Sequence, residues 1–338
     1  MASVAERRLR MYRAIAEAID QEMERDNTIF VMGEDVGAYG GVFGITRGLY
    51  QKYGPEYVRD TPISEAGVIG AAIGAAAVGM RPIVDLQFVD FVGVCFDQIF
   101  NQLAKIHYMS GGNVKLPVVI TAAIGGGLSF AAHHSQVLYS IFAHVPGLKV
   151  VVPSNSYDAK GLMIQSIRDD NPVIYCIHKR LIGVPGMPCP ETAITHVPEE
   201  PYTIPLGKAS IKREGKDVTI VAAALMVHRA IEAAEMLSRE GIDAEIIDVR
   251  TLVPLDKDTI INSVKKTGRL LIVDEDYKSY GMTGEIAAIV AEEAWEYLDA
   301  PIRRLAVPDV PIPFSRPLED YVIPSAEKIY KTVKEMIK

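Results

Sequence analysis

The chain alternates short, β-branched apolar runs with longer segments in which apolar residues recur at helical spacing. In its first half the apolar runs predict strands at residues 28–32, 81–87, 116–122, 148–152 and 174–177. Between them the pattern predicts helices over residues 91–109 and 156–169, the second preceded by the helix-start signal Pro153-Ser154-Asn155-Ser156. Strands that alternate with helices predict crossover connections and a mostly parallel sheet.

The same pattern restarts after a stretch rich in proline. Residues 185–206 contain Pro185, Pro188, Pro190, Pro198, Pro201 and Pro205, which predicts an extended, stiff connection. Beyond it the pattern predicts strands at 217–222, 243–248 and 269–273 and helices at 226–239 and 283–298. We therefore expect an α/β protein of two domains, each a mostly parallel sheet flanked by helices with right-handed crossovers. The expected bounds are residues 1–184 and 207–338, joined by a linker at 185–206.

Composition narrows the class of protein. The chain has 338 residues and a net charge of −8, without a dense cluster of Lys or Arg, which argues against a nucleic-acid partner. Its cysteines, Cys95, Cys176 and Cys189, form no C-x-x-C motif, so neither a zinc site nor a disulfide framework is indicated, and a reducing cytoplasm fits best. Residues 1–26 carry charges throughout and predict an amphipathic helix rather than a signal peptide, and no apolar run reaches transmembrane length.

One acidic residue, Glu65, stands at the start of a small-residue, apolar segment. The thirteen residues 68–80 that follow carry no charge and are rich in Gly and Ala. A carboxylate there must be hydrogen-bonded, paired or chemically active. The alternative is an acid in the first turn of a helix, stabilised by the positive end of the helix dipole.

Two glycine-rich stretches, residues 37–44 and 125–127, invite a nucleotide-binding interpretation but match neither the P-loop nor the Rossmann fingerprint. A NAD-dependent oxidoreductase is therefore disfavoured. His133 and His134 follow the second stretch, and adjacent histidines do not share one face, so a metal site built on this pair is not expected. A histidine on such a loop could donate a proton near neutral pH, or it could be a structural residue bonded to a backbone carbonyl.

Six motifs in a fixed order resemble one known family. They are TPISE at 61–65, FDQI at 96–99, YMSGG at 108–112, HSQ at 134–136, PGLKV at 146–150 and IRDDNP at 167–172. Together they resemble the β subunit of the E1 component of thiamine-diphosphate-dependent 2-oxo acid dehydrogenases and acetoin dehydrogenases. DVRTLVPLD at 248–256 resembles the transketolase-type C-terminal domain. The resemblance implies a pyrimidine-binding thiamine-diphosphate domain followed by that C-terminal domain.

The resemblance also implies roles for individual residues. Glu65 would hydrogen-bond N1′ of the cofactor's aminopyrimidine, which promotes formation of the nucleophile at C2 of the thiazolium ring. His134 would assist acyl transfer to a lipoyl group, although His133 stands where the family often has Gln or Tyr, which leaves either ring as the candidate. The residues expected to line the pyrimidine side of the pocket are Ile63, Gln87 and Phe91. The residues expected to hold a structural potassium ion are Val118, Ser166, Ile167, Asp169 and Asn171.

The Gly-Asp-Gly motif with which thiamine enzymes bind magnesium and diphosphate does not occur in the chain. The resemblance therefore implies that an E1 α subunit supplies the magnesium half of the site in an α2β2 heterotetramer, which docks to a dihydrolipoyl acyltransferase (E2) core. For the substrate, residues 87–98 resemble acetoin dehydrogenase β chains, whereas Ile177 departs from the Glu usual there. Acetoin, pyruvate and branched-chain 2-oxo acids all remain open, as does a non-catalytic assembly subunit of such a complex.

Overall fold

A computed structural model describes residues 7–337, which belong to two compact units. The first unit comprises residues up to Ile124 together with Ile141–Leu206, and the second comprises Gly125–Ser140 together with the residues from Gly207 onwards. Within residues 7–337, no helix has the length and apolar character needed to cross a membrane. The predicted α/β class is confirmed, because both units contain a sheet flanked by helices.

The sheet of the first unit is parallel. Its strands are β2 (Ile29–Gly33), β3 (Val58–Asp60), β4 (Arg81–Phe88), β5 (Val119–Ile124), β6 (Lys149–Val151) and β7 (Val173–His178). Within this unit they lie in the order β6-β7-β5-β4-β2-β3. β2, β5 and β7 are buried along their whole length, which explains why they read as continuous apolar runs rather than alternating ones.

Helices pack around this sheet. They are α1 (Met11–Arg25), α2 (Leu49–Tyr53), α3 (Glu65–Ala77), α4 (Ile106–Met109), α6 (Ser156–Arg168) and α7 (Lys179–Ile182), with α5 (Tyr139–Ala143) beginning at the end of the second unit's segment. α6 begins as its sequence predicts, because the Asn155 side chain accepts a hydrogen bond from the Asp158 amide at 2.9 Å.

The single helix predicted over residues 91–109 is wrong. The segment forms a 3₁₀ helix at Val89–Cys95, a π-helical turn at Gln98–Leu103 and the short helix α4. The first part contains Gly93 and three valines in seven residues, and both residue types disfavour a regular α-helix. The consequence is that Phe91 lies on a tight turn directly after β4.

The proline-rich segment is extended but packs against the first unit. Its strand β8 (Thr195–His196) pairs antiparallel with β1 (Arg8–Leu9). The ring of Tyr202 stacks on Tyr157 with 4.7 Å between centroids, and a Cβ placed on Gly161 would lie 2.7 Å from atoms of Ile204 and Tyr202. The domain bounds drawn from the sequence stay a prediction.

The second unit has a mixed sheet with one antiparallel edge. Its strands are β9 (Ser210–Arg213), β10 (Val218–Ala222), β11 (Ala244–Asp248), β13 (Leu270–Tyr277) and β14 (Arg303–Val307), with the short β12 (Thr251–Val253) after β11. They lie in the order β14-β13-β10-β11-β9, and β9 alone runs antiparallel to its neighbour. The helices are α8 (Leu225–Ser238), α9 (Lys257–Thr267), α10 (Met282–Glu293), α11 (Arg316–Val322) and α12 (Ala326–Ile337). The strands and helices predicted for this half are confirmed, except that the last predicted helix ends at Glu293.

Candidate functional site

Glu65 is the first residue of α3, with Ser64 at the N-cap. The favourable position of a carboxylate in the first turn of a helix follows from the exposed amide groups and the dipole at that end. The preceding segment is fixed to the sheet, because the Thr61 amide donates to the carbonyl of Gly33 at 3.0 Å, at the end of β2. The half-buried Glu65 is thereby held beside the carboxyl ends of β2 and β4.

A narrow cleft opens at this place, and we call it the carboxylate cleft. It is lined by Gly33, Glu34, Thr61, Glu65, Val68, Ile69, Val84, Asp85 and Leu86. Glu34 follows β2 and Asp85 lies in β4, and the two parallel strands are in register with Gly33 opposite Asp85. Three acidic side chains therefore meet at one edge of the sheet, which is the edge where open parallel sheets bind ligands.

The acids of the carboxylate cleft influence one another. Burial raises the pKa of Asp85 to about 6, and the charge of Glu34 adds to this, although hydrogen bonds from Thr121 Oγ1 (2.9 Å) and the Gln87 amide (3.2 Å) oppose it. Burial also raises the pKa of Glu34, followed by the negative charges of Glu65 and Asp35. Both Asp85 and Glu34 therefore hold a proton to a higher pH than ordinary carboxylates do.

Two polar atoms that line the cleft have no hydrogen-bond partner although both are buried. They are Oδ2 of Asp85 and Oγ1 of Thr61. Buried polar atoms are normally hydrogen-bonded, and an unpartnered one calls for a ligand or a role in chemistry. Together with Glu65 they form a set of acceptors and donors that suits a flat, nitrogen-rich ring such as an aminopyrimidine.

The residues predicted to line the pyrimidine pocket differ in how the structure places them. Gln87 has a left-handed backbone (φ 59°), and its side-chain amide lies 3.4 Å from the carbonyl of Glu34, so it joins the carboxylate cleft. Phe91 packs edge-on against Phe88 with 5.5 Å between ring centroids. Ile63 precedes Glu65 by two residues. Its side chain is 81% exposed in the isolated chain, as expected for an apolar residue that a ligand or a partner chain covers.

Sequence reasoning missed Glu34 and Asp85. Glu34 directly follows the apolar strand β2, and Asp85 is an acid inside the apolar strand β4, opposite Gly33 at the end of β2. The signal was therefore present, but the pairing of β2 with β4 had to be known before it could be used. Cys95 also lies near this site: burial and then the charge of Glu65 raise the pKa of its thiol to about 12, so it is not a nucleophile at neutral pH.

His134 belongs to the second unit, on the segment 125–140, which we call the histidine loop. The loop is closed by a hydrogen bond of 3.0 Å from the Gly125 amide to the carbonyl of Gln136. The His133 side chain is exposed, whereas His134 is half-buried and its amide donates to the carbonyl of Ala131 at 3.4 Å. Within the second unit the two rings thus have different surroundings.

Carboxylates of the second unit hold the histidine loop by its backbone. The Gly126 amide donates to Glu275 Oε1 (2.6 Å), the Gly127 amide to Glu319 Oε1 (2.7 Å) and the Ser129 amide to Glu319 Oε2 (3.0 Å). At the end of the loop the Tyr139 hydroxyl donates to Asp274 in β13. Sequence reasoning missed these acids as well, because they lie more than 130 residues away along the chain.

The predicted potassium ligands mostly lie together where α6 ends. Asp169 accepts hydrogen bonds from the amide and side chain of Asn171 (both 2.9 Å) and pairs with Lys149. Burial works against ionisation of Asp169, but these hydrogen bonds outweigh it and hold its pKa below the usual value.

The carbonyl oxygens of this region already have partners. Those of Ile167 and Asp169 accept from Arg81 at 2.9 and 2.6 Å, and that of Val118 accepts from the Val173 amide at 2.9 Å. The Ser166 hydroxyl donates to the carbonyl of Leu162 at 2.7 Å. In the part of the chain that the structure describes, no three His, Cys, Asp or Glu side chains are grouped as for a metal ion. A potassium ion would therefore have to be held by oxygens that share these partners.

Comparisons with known proteins bear on both units. Residues 7–185 match the transketolase pyrimidine-binding domain, and residues 207–329 match the transketolase C-terminal domain. A solved split-gene transketolase, described as an inactive β4 tetramer, is 25% identical with a TM-score of 0.77 and 97% and 98% of the two chains covered.

Curated relatives are similar over nearly the whole chain. The acetoin:2,6-dichlorophenolindophenol oxidoreductase subunit beta of Cupriavidus necator is 52% identical, with 98% of both chains covered. The pyruvate dehydrogenase E1 component subunit beta of Rickettsia felis is 46% identical, with 96% of both covered. The 2-oxoisovalerate dehydrogenase subunit beta of Bacillus subtilis is 45% identical, with 96% of this chain and 97% of the relative covered.

Because both domain models match, the chain consists of a pyrimidine-binding domain and a C-terminal domain of the transketolase type. Within that class it belongs to the family of E1 β subunits of acetoin and 2-oxo acid dehydrogenases, and is thus an oxidoreductase subunit. The resemblance drawn from the six motifs is confirmed. Membership implies thiamine diphosphate as the cofactor and an α subunit as the partner.

Proposed function

We propose that this chain joins an E1 α subunit in an α2β2 heterotetramer that cleaves acetoin and passes the acyl group to the lipoyl group of an E2 core. The observation that carries the proposal is the carboxylate cleft, where Glu65 stands beside two further acids and two buried polar atoms without partners. An assembly subunit without catalytic function would have no need to maintain such a group of unsatisfied atoms, whose burial is costly.

The residues of the carboxylate cleft would hold the aminopyrimidine end of the cofactor. When bound, thiamine diphosphate supplies a carbon nucleophile for attack on the substrate carbonyl. Glu65 would share a proton with N1′, and beside it burial, followed by neighbouring negative charge, raises the pKa of both Glu34 and Asp85. Ile63, Gln87 and Phe91 would orient the ring and exclude water from it.

His134 would act at the second stage, the acyl transfer. Histidine is a common proton donor in enzymes, so the half-buried His134 could donate a proton to a lipoyl sulfur when the acyl bond forms. His133 is exposed at the neighbouring position, and we assign the role to His134 because its loop position fits the HSQ motif.

The remaining cofactors and partners follow from the same assignment. Magnesium and the diphosphate would be bound by the α subunit, since the chain has no Gly-Asp-Gly motif. A structural potassium ion would lie among oxygens of Val118, Ser166, Ile167, Asp169 and Asn171, and the lowered pKa of Asp169 keeps that carboxylate charged for it. The complex would work in the cytoplasm.

Acetoin is proposed as the substrate because the acetoin relative is 52% identical, compared with 46% and 45% for the pyruvate and 2-oxoisovalerate relatives. Residues 87–98, which include the predicted pocket residues Gln87 and Phe91, support the same choice. Pyruvate and branched-chain 2-oxo acids are the alternatives, since one methylene in a substrate pocket changes discrimination by only about 1–3 kcal/mol.

The test is to co-express the chain with its α subunit and to assay acetoin, pyruvate and 3-methyl-2-oxobutanoate with 2,6-dichlorophenolindophenol as the electron acceptor. We expect kcat/KM to be highest for acetoin and expect the β chain alone to be inactive with thiamine diphosphate and magnesium. Preference for one of the oxo acids would assign the alternative substrate. Activity of the chain alone would overturn the divided cofactor site, and an inactive pair would favour the assembly role.

A further inference from the structure

Glu319 is a fully buried carboxylate whose hydrogen bonds go to the histidine loop. It lies on α11, and its side chain has no exposure to solvent. Oε1 accepts from the Gly127 amide at 2.7 Å and Oε2 from the Ser129 amide at 3.0 Å. A buried charge is costly unless its hydrogen bonds are made, so this acid and this loop depend on each other.

The histidine loop itself needs such support. Ser129 and Ala131 both have left-handed backbones, with φ of 56° and 62°. Residues with a side chain are strained in that region and persist there only where the surrounding structure holds them. His134 lies three residues beyond Ala131, and its amide donates to the carbonyl of Ala131, so its position depends on this strained turn.

Neighbouring groups complete the attachment. Arg316, one turn before Glu319 on α11, donates from Nη1 to the carbonyl of Gly127 at 2.6 Å. Gly126 donates to Glu275, and a Cβ added at Gly126 would lie 2.9 Å from Ile323 Cδ1 and 3.1 Å from Glu319 Oε1. The loop therefore packs against α11. Three of its amides, those of Gly126, Gly127 and Ser129, and the carbonyl of Gly127 are hydrogen-bonded to side chains.

We propose that Glu319 is a positioning residue for the acyl-transfer step, because it holds the backbone of the histidine loop in the strained conformation that presents His134. This inference rests on the proposed function of His134, and it deepens that function by assigning a C-terminal residue to it. The effect of Glu319 is on the conformation of residues 126–131.

The first arm of the test measures the loop without any turnover. Hydrogen exchange of the complex with its α subunit is followed by mass spectrometry on peptides that cover residues 125–140. In Glu319→Gln one acceptor becomes a donor, so we expect exchange of these peptides to rise about tenfold or more. Peptides from β10 and β13 serve as the internal reference and should not change. Unchanged loop exchange, or an equal rise in loop and strands, would overturn the proposal.

The second arm separates the two stages of the reaction. We expect Glu319→Gln to reduce reductive acylation of a free lipoyl domain about tenfold or more, while turnover with 2,6-dichlorophenolindophenol changes less than twofold. Glu335→Gln, the same chemical change at an exposed position of α12, should alter neither rate. A parallel loss of both rates would indicate a merely structural role and contradict the proposal.

Arg316→Met provides a second variant if Glu319→Gln does not fold. The Arg316 side chain is 48% exposed, so its replacement leaves the core intact while it removes the hydrogen bond to Gly127. We expect the same rise in hydrogen exchange of the loop peptides and the same loss of acylation as in Glu319→Gln, but both effects should be smaller. If the wild-type complex turned over none of the three substrates, the proposed function would fail, and the exchange arm would still decide whether Glu319 holds the loop.

Discussion

Both units bury carboxylates, but the carboxylates differ in what satisfies them. In the first unit Asp85 uses one oxygen for Thr121 and the Gln87 amide, and its other oxygen has no partner. In the second unit both oxygens of Glu319 accept backbone amides. The comparison shows two uses of a buried acid. A buried acid with an oxygen that accepts no hydrogen bond, as in Asp85, can bind a ligand, whereas one with both oxygens hydrogen-bonded, as in Glu319, holds a loop in place.

Asp274 refines this contrast. It also has an oxygen without a hydrogen bond, yet it lies under the histidine loop and not in the carboxylate cleft. Burial and then the charge of Asp276 raise its pKa, so Asp274 holds a proton more readily than an ordinary carboxylate does. Burial of a protonated acid that is hydrogen-bonded to Tyr139 costs less free energy than burial of an ionised one.

The largest effect should come from Glu65→Gln. The amide has the same shape but cannot share a proton in the same way, so we expect kcat with 2,6-dichlorophenolindophenol to fall about 10²–10⁴-fold. Glu56→Gln, an exposed acid of the same unit, should leave kcat unchanged. Near wild-type kcat for Glu65→Gln would remove the carboxylate cleft from the chemistry.

His134→Gln should affect one half of the reaction. We expect reductive acylation of the lipoyl domain to fall about 10²-fold, because the proton donor is lost, while turnover with the artificial acceptor changes much less. His133→Gln is the matched control and should retain acylation. The reverse result would assign the proton transfer to His133.

Asp85→Asn should change how stability depends on pH. The folded pKa of about 6 lies above the ordinary 3.8, so as pH rises from 4 to 7 the unfolded chain loses this proton first and wild-type stability falls. At about 1.4 kcal/mol per pKa unit, the free energy of unfolding should fall by about 3 kcal/mol through this group. Denaturant unfolding of both proteins at pH 4 and pH 7 measures this. Between these pH values, the free energy of unfolding of the variant should rise by about 3 kcal/mol relative to that of wild type. An equal difference between the two proteins at both pH values would contradict the raised pKa.

Tyr139→Phe should have the smallest effect. It removes the hydrogen bond to the buried Asp274, and we expect the free energy of unfolding to fall by about 1–3 kcal/mol. Tyr280→Phe, at a fully exposed tyrosine of the same unit, should not change it. Equal stability of the two variants would mean that the Tyr139 hydrogen bond does not stabilise the second unit.

Much of the fold could be predicted because the signals are local. The apolar runs that form β4 and β10 and the cap at Asn155 lie within a few residues of the structure they specify. The long helix predicted after β4 failed for a related reason, since the spacing of its apolar residues is helical while its composition (Gly93 and β-branched neighbours) favours tight turns. The spacing of apolar residues alone could not show that the composition of this segment would prevent a regular α-helix.

For the candidate site, the sequence pointed only to residues that stand in a recognisable motif, and their roles stay predictions. Glu65 and His134 stand in short motifs, whereas Glu34, Asp85, Glu275 and Glu319 acquire meaning only from their partners in space. Asp85 meets Glu34 because β2 and β4 pair, and Glu319 meets Gly127 across 192 positions of sequence. Neither relation leaves a trace in local spacing.

The hydrogen bonds between α11 and the histidine loop have a consequence for chimaeric proteins made from two related chains. Residues 125–140 and the C-terminal stretch are far apart in the gene, yet they form one compact unit. A crossover near residue 206 would therefore combine the loop of one parent with the Glu319 of another. Recombinants between relatives should keep acyl transfer only when both stretches come from the same parent, or when both parents have matching partners.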